Sequence, residues 1–178
     1  LGGGLCGRLT ALQLAEQGLS VALFDKGGRK GENAAAYVAA AMLAPAAEAV
    51  EATPEVIKLG RQSIPLWRNI RGRLKTPTMM QENGSLIVWH GQDKPLSGEF
   101  VRHLKRGGVA DDEIVRWHAN DIAEREPQLG GRFSDGLYLP TEGQLDGRQM
   151  LSALADALDG LNVPCHWEHE CAPDDLQA

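Results

Sequence analysis

The chain has 178 residues, 43% of them apolar, with 18 basic and 24 acidic side chains and a net charge of −6. This is ordinary globular material for one domain or two small ones. The acidic balance argues against a nucleic-acid surface, and no apolar run is long enough to span a membrane.

The chain opens Leu1-Gly2-Gly3-Gly4-Leu5-Cys6-Gly7. Glycines at 2, 4 and 7 give the spacing G-x-G-x-x-G, which has a mechanical meaning between a strand and a helix. Gly2 permits a tight turn, Gly4 lets a pyrophosphate approach the main chain, and Gly7 lets the helix pack closely. The helix then offers free N–H groups and a partial positive charge to the phosphates. Cys6 reads as a small packing residue that contributes one of those N–H groups. Leu5, Leu9 and Leu12, with Ala11 and Ala15, repeat at helical spacing, and Gly18 reads as the helix stop. Val21 to Phe24 reads as a strand buried on both faces, ending at Asp25. That carboxylate lies about 20 residues past the last glycine, where it can accept from a ribose hydroxyl. A strand is expected to precede Gly2, so the chain is expected to begin just inside it.

Residues 26–33 form a polar loop, and 34–45 are dominated by small side chains. They suit either a tightly packed helix or main chain pressed against a flat ligand. Thr53-Pro54-Glu55 starts a helix whose apolar stripe is Val56, Leu59, Trp67, Ile70 and Leu74, with Pro65 expected to kink it. The basic residues from Lys58 to Lys75 read as its solvated face. Met79–Glu82 and Ser85–His90 around Asn83-Gly84 predict a β-hairpin. Glu99–Arg106 predicts a helix closed by Gly107-Gly108, and Asn120 a cap for Asp121–Arg125. Asp135-Gly136 gives a second hairpin signal. Asp146 caps a helix that buries Leu151, Leu154, Ala155 and Leu158 and stops at Gly160. Val163 to Cys171 predicts a last strand. Its Cys and His residues alternate between faces, and no usual zinc spacing appears, so no metal site is expected. Three cysteines, Cys6, Cys165 and Cys171, without C-x-x-C, fit free thiols in a reducing, cytoplasmic compartment.

The glycine-rich start, Asp25, the alanine-rich stretch and Met42-Leu43-Ala44-Pro45 resemble the FAD-dependent glycine oxidase and D-amino-acid oxidase family, most of all the glycine oxidases of thiamine biosynthesis. Glu126-Pro127 followed by Leu129, and the Gly-x-x-Asp entry at 143–146, are similar too. The chain has Ala41 where the family usually has glycine, and Ala35 and Ala36 where hydroxyl residues are common. The resemblance covers the whole chain and about half of a family enzyme, so both ends of the fold are expected to be absent.

It implies an α/β fold: a Rossmann-like FAD-binding domain, with helices on both faces of a partly parallel sheet, and an inserted α+β substrate domain. The FAD-binding parts are expected at 1–47 and 140–178, and the substrate-domain portion at 48–139. FAD, rather than a nicotinamide, is the implied cofactor. The implied binding residues are Gly2, Gly4, Leu5, Cys6 and Gly7, then Asp25 and Lys26, then Ala35, Ala36, Ala40, Ala41 and Met42. Cys171 is expected near the adenosine end through its main chain. The implied substrate is a small amino acid or amine, with hydride transfer to the flavin, imine hydrolysis and dioxygen reoxidation to hydrogen peroxide. The family's carboxylate-binding arginine falls beyond Ala178, so neither Arg61 nor Arg148 is given that role and no catalytic residue is assigned. A D-amino-acid dehydrogenase, a sarcosine-type oxidase, the FAD domain of a tRNA-modification enzyme and a non-catalytic nucleotide-binding fragment are the alternatives. Association with a second copy is left open.

Overall fold

The computed structural model describes residues 1–172 and Asp175. The chain divides into two compact units. The first is Leu1–Ala41, Arg68–Met80 and the chain from Leu145 onward; the second is Met42–Trp67 and Gln81–Gln144.

In the first unit, helix α1 (Leu5–Glu16) follows the glycine turn and buries Arg8, Ala11 and Leu12. It closes as expected. Gly18 adopts φ +80°, its N–H donates to Ala15 O at 2.9 Å, and the Leu19 N–H donates to Leu14 O at 3.1 Å. This paired C-terminal cap favours glycine, because a Cβ strains the left-handed conformation. Strand β1 is only Leu23–Phe24, and Ala22 is exposed. The buried four-residue strand expected from Val21 is therefore shortened. A continuous buried run needs partners on both edges, and among the described residues β1 has one, the parallel strand Cys165–His166.

The last predicted strand, Val163 to Cys171, is likewise reduced to Cys165–His166. Glu168 turns with φ 55°. Its N–H donates to Gly27 O and that of His169 to Asp25 O, both at 2.9 Å. These bonds fold the segment back over the loop after β1. Among the described residues no three His, Cys, Asp or Glu side chains converge as a metal site.

The small-residue stretch is helical only over Ala35–Val38 (α2). Ala41 then takes φ 52°, in the left-handed region. The later helix of this unit, Gly147–Gly160, is capped by Asp146, whose carboxylate accepts from the N–H groups of Arg148 and Gln149 at 2.9 Å. Its buried face includes Met150, Leu151, Leu154, Ala155 and Leu158. The helix ends at Gly160, as expected, but Gly160 is its last helical residue and not the left-handed residue of the cap. Asn162, at φ 56°, makes the stop, and the Val163 N–H donates to Leu158 O at 3.0 Å. Asparagine tolerates this conformation, so it substitutes for the expected glycine.

Helix α3 (Pro54–Arg73) begins in the second unit and runs on through Pro65. Its buried residues are Ile57 and Ile64, whereas Val56 and Leu59 are 55% and 65% exposed. The predicted stripe is thus displaced by one position at its start. Ile57 is drawn into a core of Ala46, Ala49, Leu104, Val109 and Leu139, and that fixes the rotation of the helix. The basic side chains are less free than a solvated face implies. Arg61 pairs with Glu113 at 3.0 Å, and Arg71 donates to Thr78 O at 2.8 Å.

Neither predicted hairpin forms. Strands β2 (Met42–Leu43), β3 (Met80–Gln81) and β4 (Ser85–Val88) come in chain order, and β3 and β4 enter different sheets. The Gly84 N–H donates to Glu142 O, and the Tyr138 hydroxyl donates to Asn83 O, each at 2.9 Å. The Asn-Gly pair thus passes the chain between sheets and does not close a two-strand turn. Asp135-Gly136 starts a continuous strand. β5 (Val115–His118) and β4 flank β6 (Asp135–Leu139) on opposite edges, both antiparallel, with Gly136 opposite Trp117 and Val88. β7 (Gly143–Leu145) lies between β2 and β3 in the other sheet; Cys165–His166 is β8.

Helix α4 spans Lys94–Arg106, starting earlier than expected because Pro95 suits a first turn. Helix α5 spans Ala119–Arg125 and places Asn120 inside it. The cap contact is instead the His118 N–H donating to Asp121 Oδ2 at 2.8 Å. Gly147–Gly160 is α6.

Candidate functional site: a glycine-walled cleft in the first unit

The glycine turn, the residues after β1 and the segment through α2 enclose a cleft of about 510 Å³. It is lined by Gly3, Gly4, Leu5, Cys6, Asp25, Lys26, Gly31, Asn33, Ala34, Ala35, Ala36 and Ala39. Of the expected residues, Gly4, Leu5, Cys6, Asp25, Lys26, Ala35 and Ala36 are thereby brought together.

Gly2 and Gly7 stand behind the wall and shape it. Gly2 adopts φ +99°. A Cβ on Gly7 would fall 1.7 Å from Gly2 O, so a side chain there is incompatible with the turn. Gly4 is different. The nearest atom to its would-be Cβ is the Ala34 Cβ at 3.8 Å. Gly4 is also the N-cap of α1, which has no side-chain cap and no acidic residue in its first turn. The Leu5 and Cys6 positions, where helical N–H groups lack an intrahelical acceptor, line the cleft. Free donors and the positive end of the helix make this wall suited to an anion.

The Asp25 carboxylate accepts from the Gly3 N–H through Oδ2 and from the Gly27 N–H through Oδ1, the latter at 2.6 Å. A carboxylate has about four acceptor directions, so two remain for hydroxyl donors. Asp25 both holds the turn and presents acceptors to the cleft. Cys6 departs from its expected packing role, because its side chain is exposed and lines the cleft.

The other expected residues lie elsewhere. Ala40 is exposed, and Ala41 uses its carbonyl to accept from the Leu145 N–H at 3.1 Å. Met42 belongs to the second unit, in β2, and is 57% exposed. Cys171 is partly covered beyond β8. Arg148 donates to Tyr37 O at 2.8 Å and lies over the Tyr37 ring.

Arg8 is the main residue that pattern reading missed. It is fully buried in α1. Its Nε donates to Gly3 O and Nη1 to Leu151 O, both at 2.5 Å, and Nη2 donates to Arg29 O at 2.9 Å. The Trp167 ring lies over its guanidinium, 4.7 Å from centroid to Cζ. One side chain thus joins the glycine turn, α6, the loop after β1 and the turn after β8. Burial lowers its pKa from the usual value, with the charge of Asp25 acting the other way. The loop is further held where Arg29 pairs with Asp156 and Asp159 at 2.7 and 2.6 Å. The available sequence signal was Arg8 itself, a cation on the apolar side of a helix beside Leu12 and Ala11. Gly3 was also missed: its would-be Cβ stands 2.7 Å from Trp167 Cζ3, a contact no spacing rule contains.

The second unit holds one comparable buried charge, Glu142, with no exposed surface. Its Oε1 accepts from the Ala47 N–H at 2.7 Å, while Oε2 has no partner. Burial pushes its pKa above the ordinary 4.5. It ties the segment after β2 to the approach of β7.

A family model described as FAD dependent oxidoreductase (DAO) matches residues 1–172. A Rhizobium etli protein that carries the provisional name thiamine biosynthesis oxidoreductase ThiO is 35% identical over 160 residues. The match takes in 89% of this chain and 44% of that protein, so the chain spans less than half the length of this curated relative. Among solved structures, glycine oxidase from Geobacillus kaustophilus superposes with a TM-score of 0.77 at 22% identity, over 95% of this chain and 45% of that one. L-α-glycerophosphate oxidase from Mycoplasma pneumoniae, solved with FAD bound, gives 0.72 at 16% identity, over 95% and 44%. At such identities the likeness is one of fold.

Proposed function

We propose a function from one premise: the chain belongs to the DAO family of FAD-dependent oxidoreductases. The first-unit cleft is read as the seat of the adenosine diphosphate part of FAD. The uncapped N-terminus of α1 carries this reading. Its first turn faces the cleft without an acidic side chain, and Gly4 leaves the main chain open to a phosphate. Asp25 adds free acceptor directions for ribose hydroxyls. Gly2 and Gly7 shape the turn, while Lys26, Ala35 and Ala36 wall the cleft. Ala40, Ala41 and Met42 continue the chain toward the flavin side, and Cys171 belongs to the adenosine end in this reading.

When bound, FAD supplies a two-electron acceptor for oxidation beside a nitrogen or oxygen atom. The protein of which this chain is part is read as oxidising the CH–NH group of a small amino acid or amine, such as glycine, sarcosine or a D-amino acid. The imine hydrolyses to an oxo acid and ammonia or an amine, with dioxygen as the final acceptor and hydrogen peroxide as the product. The name of the glycine oxidase relative favours nitrogen chemistry. The glycerophosphate oxidase shares the fold, so substrate class is what the test must settle. The second unit is assigned to the substrate side, and a cytoplasmic location is proposed with it.

The test is a visible absorption spectrum of the purified protein with added FAD, then with glycine, sarcosine or D-alanine under nitrogen. Bound flavin that bleaches with one of them supports the reading and names the substrate. Bound flavin that bleaches with none, but does so with a hydroxy compound such as glycerol phosphate, overturns the amine assignment. Failure to take up FAD overturns the cofactor reading for this chain.

A further inference from the structure

Arg8 carries more than a structural role accounts for. Its guanidinium is fully buried, yet its hydrogen-bond partners are three main-chain carbonyls. Among the described residues it has no ion-pair partner. The carboxylate that acts on it most, Asp25, does so at longer range, and both Asp25 oxygens are already engaged by main-chain N–H groups. Carbonyl oxygens satisfy donors but leave a full positive charge inside the fold, and such a charge is costly without a counter-ion.

The position of that charge says where its counter-ion belongs. Arg8 Nε bonds the carbonyl of Gly3, and Nη2 stands 3.2 Å from where a Cβ on Gly31 would be. Gly3 and Gly31 both wall the cleft. The guanidinium therefore lies one layer of main chain beneath it, on the side of the α1 N-terminus. At Gly31 the absence of a side chain leaves the main chain directly against the guanidinium.

We propose that Arg8 is the electrostatic partner of a diphosphate bound in the cleft, acting through the main-chain wall and without direct contact. The identity of the diphosphate as part of FAD rests on the function proposed above. The buried cation and the helix terminus then act on the same anion, in surroundings where charges are weakly screened. The Arg8 fork also holds Gly3 and the Arg29 loop in place, so removing charge and removing the fork must be separated.

Two variants do this. Arg8→Lys keeps the charge and loses the fork; Arg8→Gln loses both the charge and most of the fork. The affinities of the full chain and both variants are measured by calorimetry for FAD and ADP, which carry the diphosphate, and for riboflavin and adenosine, which do not. The expected result is that Arg8→Gln weakens FAD and ADP by about tenfold more than it weakens riboflavin and adenosine. Arg8→Lys is expected to retain most of the preference for the phosphorylated ligands. Equal weakening of all four ligands in both variants would reduce Arg8 to a structural clamp and overturn the proposal. So would Arg8→Gln binding ADP as the parent does. If the unmodified chain binds none of the four, the cofactor reading falls and the proposal with it. If the chain binds them but the two variants do not differ, only the proposal falls. Should Arg8→Gln fail to fold, the decision rests on Arg8→Lys, which must keep the parent's ratio of ADP to adenosine affinity within about threefold.

Discussion

Among the described residues each unit buries one charged side chain, and the two are finished in opposite ways. Arg8 in the first unit spends all three of its nitrogens on main-chain carbonyls. Glu142 in the second uses one oxygen on a main-chain N–H and leaves the other without a partner. Both act as staples, because each joins segments distant in sequence through main-chain atoms. Their charge state separates them. A guanidinium cannot shed its proton in a protein, so the first unit must live with its charge or find it an anion. A carboxyl can become neutral, and burial pushes Glu142 in that direction. A fixed charge therefore lies beneath the candidate cleft, and a titratable one lies within the other unit's frame.

The comparison breaks most severely at the first unit's turn. Gly7→Ala puts a methyl group onto the Gly2 carbonyl. A loss of about 3 kcal/mol or more is expected, read as a fall in the urea midpoint. Arg8→Met orphans three carbonyls and should cost about 2–3 kcal/mol, read the same way. An unchanged midpoint would show that the staple is dispensable.

Glu142→Ala should cost less, about 1–2 kcal/mol, because it strands the Ala47 N–H but removes an unpaired oxygen. Glu142 also predicts a pH dependence. With its folded pKa raised above the unfolded value near 4.5, the folded state holds the proton more tightly. Its contribution is fully present below 4.5 and is lost as pH rises through the raised pKa. Glu142→Gln should flatten that part of the stability profile, and a variant that keeps the parent's slope would assign the slope to other groups. The smallest effect expected is a gain. Ala41→Gly relieves a left-handed alanine at the cost of added unfolded-state freedom, for a net of about 0.5 kcal/mol.

Local rules were legible where a single residue decides the outcome. Asp146 caps its helix and Gly18 closes another, since cap geometry depends on few neighbours. The resemblance named the family, and the G-x-G-x-x-G spacing located the cleft. The errors came where tertiary pairing decides. Asn83-Gly84 and Asp135-Gly136 carry hairpin chemistry, but hydrogen bonds to the Glu142 carbonyl and pairing on both edges of β6 take precedence. The face of α3 was misplaced by one residue, because the stripe was read without the partners that receive Ile57. Arg8 was passed over because a cation in a motif helix looks solvated until the carbonyls around it are seen.

The exposure of Cys6 has a practical consequence. It is the one exposed thiol of the three, and it lines the cleft, whereas Cys165 is partly covered and burial raises its pKa. Alkylating reagents should reach Cys6 before the others, and the adduct would occupy part of the cleft proposed above to seat the cofactor. Air-aged preparations would then lose binding capacity while still appearing folded. Prior saturation with ligand should protect the thiol, so the rate of labelling doubles as a gauge of cleft occupancy.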